Sequence, residues 1–172
     1  MNNKNSSGYA LLFAVLVASI LLSAGLGIAN IIYKELQLSS IGRESTKAFY
    51  YADSGAECAI YWNGKLKFPT VSALRVGSWS NPPGVKCADT PDIYSSYGGS
   101  APPLADDPND STKKQAIVSF DVSQSTYGCA KVKVIKLENG TTYIESRGFN
   151  VDCASSGVNL RRVERAVRYR IN

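Results

Sequence analysis

The spacing of apolar and polar positions changes character along this chain. From Tyr9 to Ile32 only Ser19, Ser23 and Asn30 are clearly polar, and no charged residue occurs between Lys4 and Lys34. A hydrocarbon core about 30 Å thick needs about 20 helical residues, so this run is long enough to span it. Its thirteen Leu, Ile, Val and Phe side chains, at roughly −0.3 to −0.6 kcal/mol each, favour insertion by about 4 to 8 kcal/mol. From Leu38 the small or apolar residues fall at Ile41, Ser45, Ala48, Ala52, Ala56 and Ala59. That spacing of threes and fours marks one helical face, which Phe49 and Ile60 widen. No proline precedes Pro69, so one helix is expected from Tyr9 to about Trp62. Residues 9–33 of it suit lipid, and residues 34–62 form an amphipathic continuation.

Residues 63–172 read as a globular head. All seven prolines lie between Pro69 and Pro108, so residues 63–114 are expected to be an irregular connection, pinned to the core by Leu74 and Trp79. Residues 115–172 then change to period two. Ala116, Val118, Phe120 and Val122 alternate with other residues, as a strand requires. The segments CAKVKVIKL and TTYIESRGF flank Asn139-Gly140, a two-residue turn signal in which both positions accept positive φ. The last strand alternates Val163, Arg165, Val167, Tyr169 and Ile171 with its other face. Four antiparallel strands with one apolar face need a cover, and the stripe from Leu38 to Ile60 supplies it. The expected class is α+β.

Composition narrows the chemistry. Histidine is absent, which removes the usual general base and the commonest zinc ligand. An enzyme is not expected, and no cofactor or metal is called for. Cys58, Cys87, Cys129 and Cys153 contain no C-x-x-C pair, which suits two disulfides in an oxidising compartment. Pairing Cys58 with Cys87 and Cys129 with Cys153 closes two loops of roughly 25 to 30 residues, each contributing about 3 to 4 kcal/mol. The other two pairings stay open at this level.

The formal charge of +5 is concentrated late: residues 129–172 hold nine basic and four acidic side chains. Arg161, Arg162, Arg165, Arg168 and Arg170 raise the question of nucleic acid. Strand alternation splits them between two faces and Glu164 interrupts the outward set, so a solvated strand face is the preferred reading. Asp53 and Glu57, four apart on the helix, read as a solvent face or a contact for a neighbour's cations. Asp106, Asp107, Asn109 and Asp110 lack the spacing of a calcium loop and read as a solvated acidic turn. Asn139-Gly140-Thr141 and Asn109-Asp110-Ser111 fit glycosylation sequons, but the former is preferred as a turn.

Lys4 holds the short N-terminal leader on the cytoplasmic side and leaves the head outside. A discarded signal peptide is the competing reading, with cleavage near Ser23-Ala24-Gly25 or Gly27-Ile28-Ala29. The apolar run continues past both triplets to Ile31 and Ile32, which argues against it.

With Ser7-Gly8-Tyr9-Ala10-Leu11-Leu12-Phe13, the chain resembles the type IV pilin and pseudopilin superfamily. AFYYADSGAE, Ala48 to Glu57, is similar to a stretch in the helix of certain minor pilins. The resemblance implies a leader of residues 1–8 cut after Gly8 by prepilin peptidase, and an N-methylated Tyr9 where the family usually has Phe. Major pilins carry glutamate at the fifth position after the cut, and here that position is Phe13. Its absence implies a minor subunit at or near a filament tip. The implied function is a structural subunit of a type IV pilus or related secretion or uptake filament. Its route runs from the inner membrane, with the head extracytoplasmic, to an extracellular filament. Its partners would be the membrane, the peptidase and other pilin subunits. Small residues at Ala10, Ala14, Ala18, Gly25 and Ala29 would permit close helix approach. A permanently anchored extracytoplasmic binding or adhesion domain is the alternative.

Overall fold

The computed structural model describes residues 7–88, 90–108, 110–123, 128–153 and 162–172. Residues 1–6 of the expected leader, Asn109 and Arg161 lie outside them. Helix α1 spans Ser7–Gly64. It is followed by α2 (Val71–Arg75), a 3-10 turn (Ile93–Tyr97) and five strands. These are β1 (Leu104–Asp107), β2 (Asp110–Ser123), β3 (Cys129–Leu137), β4 (Thr142–Phe149) and β5 (Glu164–Ile171). The chain divides into two compact units, one ending at Gly42 and the other beginning at Arg43. In the first unit, every residue from Tyr9 to Gly42 is helical and exposed.

In the second unit the strands form one antiparallel sheet in the order β1-β2-β3-β4-β5. Val118, Val134, Ile144 and Tyr169 lie in register across β2 to β5, and so do Phe120, Val132, Ser146 and Val167. These rows belong to the face that meets the helix, and from β2 to β4 they are buried.

The sheet has five strands where four were expected. Leu104 pairs with Ala116 and Asp106 with Lys114, so a segment read as loop is an edge strand, and β2 begins at Asp110. Short, charged segments suit an edge because one side of the strand has no partner. Lys114 makes an ion pair with Asp106 there.

The Asn139-Gly140 turn also differs from expectation. Only Gly140 takes positive φ, at 89°. Leu137 donates to the Thr141 carbonyl at 2.9 Å, and Gly140 donates to the Leu137 carbonyl at 3.2 Å. This is a three-residue loop with a left-handed third position, not a two-residue turn.

The part of α1 from Arg43 onward packs on the sheet through very small residues. Ala48, Ala52, Ala56 and Ala59 are fully buried. A Cβ on Gly55 would lie 2.7 Å from the Ser146 hydroxyl and 2.8 Å from a Val132 methyl. Of the expected stripe, Leu38 and Ile41 are exposed, and so is Phe49. At about 100° per residue Phe49 stands a quarter turn round from Ala48, on the flank of the contact.

Residues 63–114 contribute more to the core than Pro-rich composition suggests. Phe68, Val71, Val85, Ile93 and Tyr94 are buried there, and Phe68 stacks on Phe120 at 6.2 Å. Trp79 packs against this cluster, as expected, whereas Leu74 is only half-buried. Asp92 accepts from the Gly84, Val85 and Tyr94 amides at 2.6, 3.2 and 3.0 Å, so one carboxylate orders two separate turns. Burial raises the pKa of Tyr94, whose hydroxyl donates to the Lys67 carbonyl at 2.6 Å. Cys58 is bonded to Cys87, and Cys129 to Cys153. The first bond, with Trp62 Nε1 donating to the Lys86 carbonyl at 2.9 Å, fastens residues 85–87 to the helix.

Candidate assembly surface

Among the described residues, the first unit presents an apolar helix that no other described residue covers. Its most hydrophobic 18-residue window has a mean hydropathy of 2.6 and is wholly unburied, and the helix is long and apolar enough to cross a membrane. Gly8 falls within α1, and Tyr9 beside it is 78% exposed. Phe13 is also exposed. Ala10, Ala14, Ala18, Gly25 and Ala29 are separated by four, four, seven and four residues. That spacing keeps them within a sector of about 100° on one side of the helix. A Cβ added to Gly25 would meet nothing within 4 Å, so no contact among the described residues explains a glycine there.

In the second unit, polar contacts tie the helix to the last strands. Asn150 Nδ2 donates to Glu44 at 3.1 Å, and Arg165 Nε donates to the Ser45 hydroxyl at 2.7 Å. The Tyr169 hydroxyl donates to Asp53 at 3.1 Å. Asp53 is therefore turned towards the sheet, while Glu57 is exposed. The amide of Asn150, assisted by Lys47, holds the Glu44 carboxyl below the usual carboxylate range. The Asp53 hydrogen bond raises the pKa of Tyr169.

The described arginines are divided as alternation requires. Arg165 faces the helix, whereas Arg168 pairs with Glu145 at 3.2 Å and lies over the Tyr143 ring. Arg162 stacks on Phe149 at 4.1 Å, and Arg170 Nε donates to Asn172 at 3.1 Å. Asp106 and Asp110, considered above as oxygen ligands, are held by Lys114 and Lys113. The Thr112 hydroxyl, with Lys113, brings the Asp110 pKa down to about 2.

One residue not singled out by motif is Lys136. It sits on the core-facing side of β3, in register with Ala116 and Thr142, and is 9% exposed. The available signal was parity: Val132, Val134 and Lys136 share one face of the strand. Burial lowers its pKa. It borders a cavity of about 430 Å³ between α2 and the β3–β4 turn.

A long apolar N-terminal helix, whose later part packs on an antiparallel sheet, resembles the pilin fold. No protein-family model, curated protein or solved structure matches this chain.

Proposed function

We propose that this chain is a non-enzymatic structural subunit of a type IV pilus or related filament, a minor pilin or pseudopilin. It inserts in the membrane by α1, is cut after Gly8 and is methylated at Tyr9. It then leaves the bilayer to pack α1 against equivalent helices. The observation that carries this reading is the contrast along α1. From Tyr9 to Ile41 the apolar side chains are covered by no other described residue, whereas Ala48, Ala52, Ala56 and Ala59 of the same helix are buried on a sheet. An uncovered apolar helix is stable in lipid or against other helices, not in water. The sector of small residues containing Gly25 suits close helix approach, the mode of association available where lipid has removed the hydrophobic drive.

Phe13 bears on position within the filament. A carboxylate at that depth needs a compensating positive partner, and phenylalanine makes no such demand. A subunit that offers no charge to a neighbour's terminal amine fits a tip better than a repeating shaft.

N-terminal sequencing and mass spectrometry of the protein from its native membrane and from sheared filaments test the reading. A start at N-methylated Tyr9, with recovery in the filament fraction, is expected. A start at Met1 with no filament recovery would replace it with a permanently anchored extracytoplasmic domain. A start near Leu26 or Asn30 would indicate signal cleavage and secretion.

A further inference from the structure

We propose that the cavity between α2 and the β3–β4 turn is a binding site for a small organic carboxylate, with the Lys136 ammonium as its counter-charge. The ammonium has three N–H donors. Its hydrogen bond runs to the Phe68 carbonyl at 3.3 Å, and among the described residues no carboxylate lies within ion-pair distance of it. Glu138, which also lines the cavity, is engaged elsewhere: it pairs with Arg75 and accepts from the Lys114 amide at 3.3 Å. Lys136, only 9% exposed as a whole residue, therefore borders this open volume with its charge unpaired among the described residues.

A buried charge without an opposite partner is costly, and its pKa shifts to relieve the cost. The lowered pKa of Lys136 arises from burial alone. An anion in the cavity would reverse that shift by stabilising the charged form, so ligand binding and Lys136 protonation are linked.

The walls specify the class of anion. Lys136, Arg75 and Glu138 together contribute one net positive charge, which matches a monoanion, whereas a phosphate dianion would face the Glu138 carboxylate. The Thr70 and Ser72 hydroxyls lie 3.1 Å apart and share one hydrogen bond. One hydroxyl hydrogen of the pair is then free to donate to a ligand oxygen. Val71 and Leu137 supply apolar lining, so a short carbon chain is accommodated beside the charged group. A volume of about 430 Å³ falls within the usual range of small-molecule clefts. A free organic acid and an acidic side chain of another protein present the same group.

The full chain, with both disulfides intact and held in detergent micelles, is labelled with 13Cε-lysine. The Lys136 signal is assigned through its bonds and titrated with sodium butyrate, the blocked peptide acetyl-Gly-Glu-Gly-amide, sodium phosphate and sodium chloride at matched ionic strength. A saturable Lys136 shift is expected, at concentrations at least an order of magnitude below any chloride effect. The pH at which the signal titrates should move upward on saturation. A response to butyrate supports a free acid, and a response to the peptide alone supports a protein-borne carboxylate. A response to phosphate alone, or one no stronger than chloride, overturns the proposal. Butyrate should also raise the melting temperature of the native sequence and lose that effect in Lys136→Met. Should that variant not fold, the titration of the unaltered chain decides alone.

Discussion

Gly148 of β4 lies against the backbone of α1 at Ala52, so close that a Cβ on the glycine would stand 2.3 Å from the Ala52 nitrogen. The same atom would stand 2.0 Å from the Ala48 carbonyl oxygen. Both neighbours are main-chain atoms and cannot rotate away. Gly148→Ala is therefore expected to force helix and sheet apart, costing about 3 kcal/mol or more. Denaturant unfolding of the disulfide-intact protein measures this, and a change below about 0.5 kcal/mol would show that the contact yields easily.

The two disulfides close loops of sequence separation 29 and 24. In the chain-entropy model each constrains the unfolded state by about 3 to 4 kcal/mol. Cys129→Ser with Cys153→Ser should lower stability by that amount. Removing Cys58 and Cys87 should do the same and also expose residues 85–87 to proteolysis. Equal midpoints with and without reductant would contradict both expectations.

Glu44 carries a sign that can be checked. Its folded pKa lies below the ordinary 4.5, chiefly because Asn150 donates to the ionised form. A depressed carboxylate pKa contributes stability that is fully present above the unfolded value and disappears as the pH falls through the folded value. Glu44→Gln should therefore unfold more easily than the native sequence at pH 7, with the two midpoints converging below pH 4 or so. The group is partly exposed to solvent, so the difference at pH 7 should be small. Midpoints that diverge as the pH falls would reverse the argument.

Leu66 holds a φ of 55° while being largely exposed. It closes α1: the Lys67 amide donates to the Trp62 carbonyl and the Leu66 amide to the Asn63 carbonyl, both at 3.0 Å. The left-handed position after a helix favours glycine, which has no Cβ to strain. Leu66→Gly is expected to raise stability by about 0.5 to 1 kcal/mol, and a lowered melting temperature would count against it.

Much of this architecture is legible because periodicity reports directly on which face is covered. The alanines at 48, 52, 56 and 59 and the alternation in β2 to β5 both mark one side of an element. Other features gave weaker signals. Residues such as Phe68, Val85 and Ile93 stand among prolines, glycines and polar neighbours without a repeat, so their burial follows from where the chain doubles back. The acidic β1 reads as loop because an edge strand needs only half the usual pairing. For the candidate assembly surface, the apolar run and the small residues were readable, whereas the engagement of Asp53 by Tyr169 was not, because the partners are 116 residues apart.

Local order by itself determined that residues 9–33 form a lipid-compatible helix, that its continuation has a small-residue face, and that alternating strands follow. Those properties depend on side chains a few positions apart. Only the tertiary structure decided which of three cysteine pairings forms, that a fifth strand joins the sheet, and that Gly55 and Gly148 sit where helix and sheet touch. It also decided that Lys136 is enclosed beside a cavity with no carboxylate of the described residues within ion-pair distance of it. Each of these depends on distances between segments remote in the chain, which are set when the whole core closes and are written in no single stretch of it.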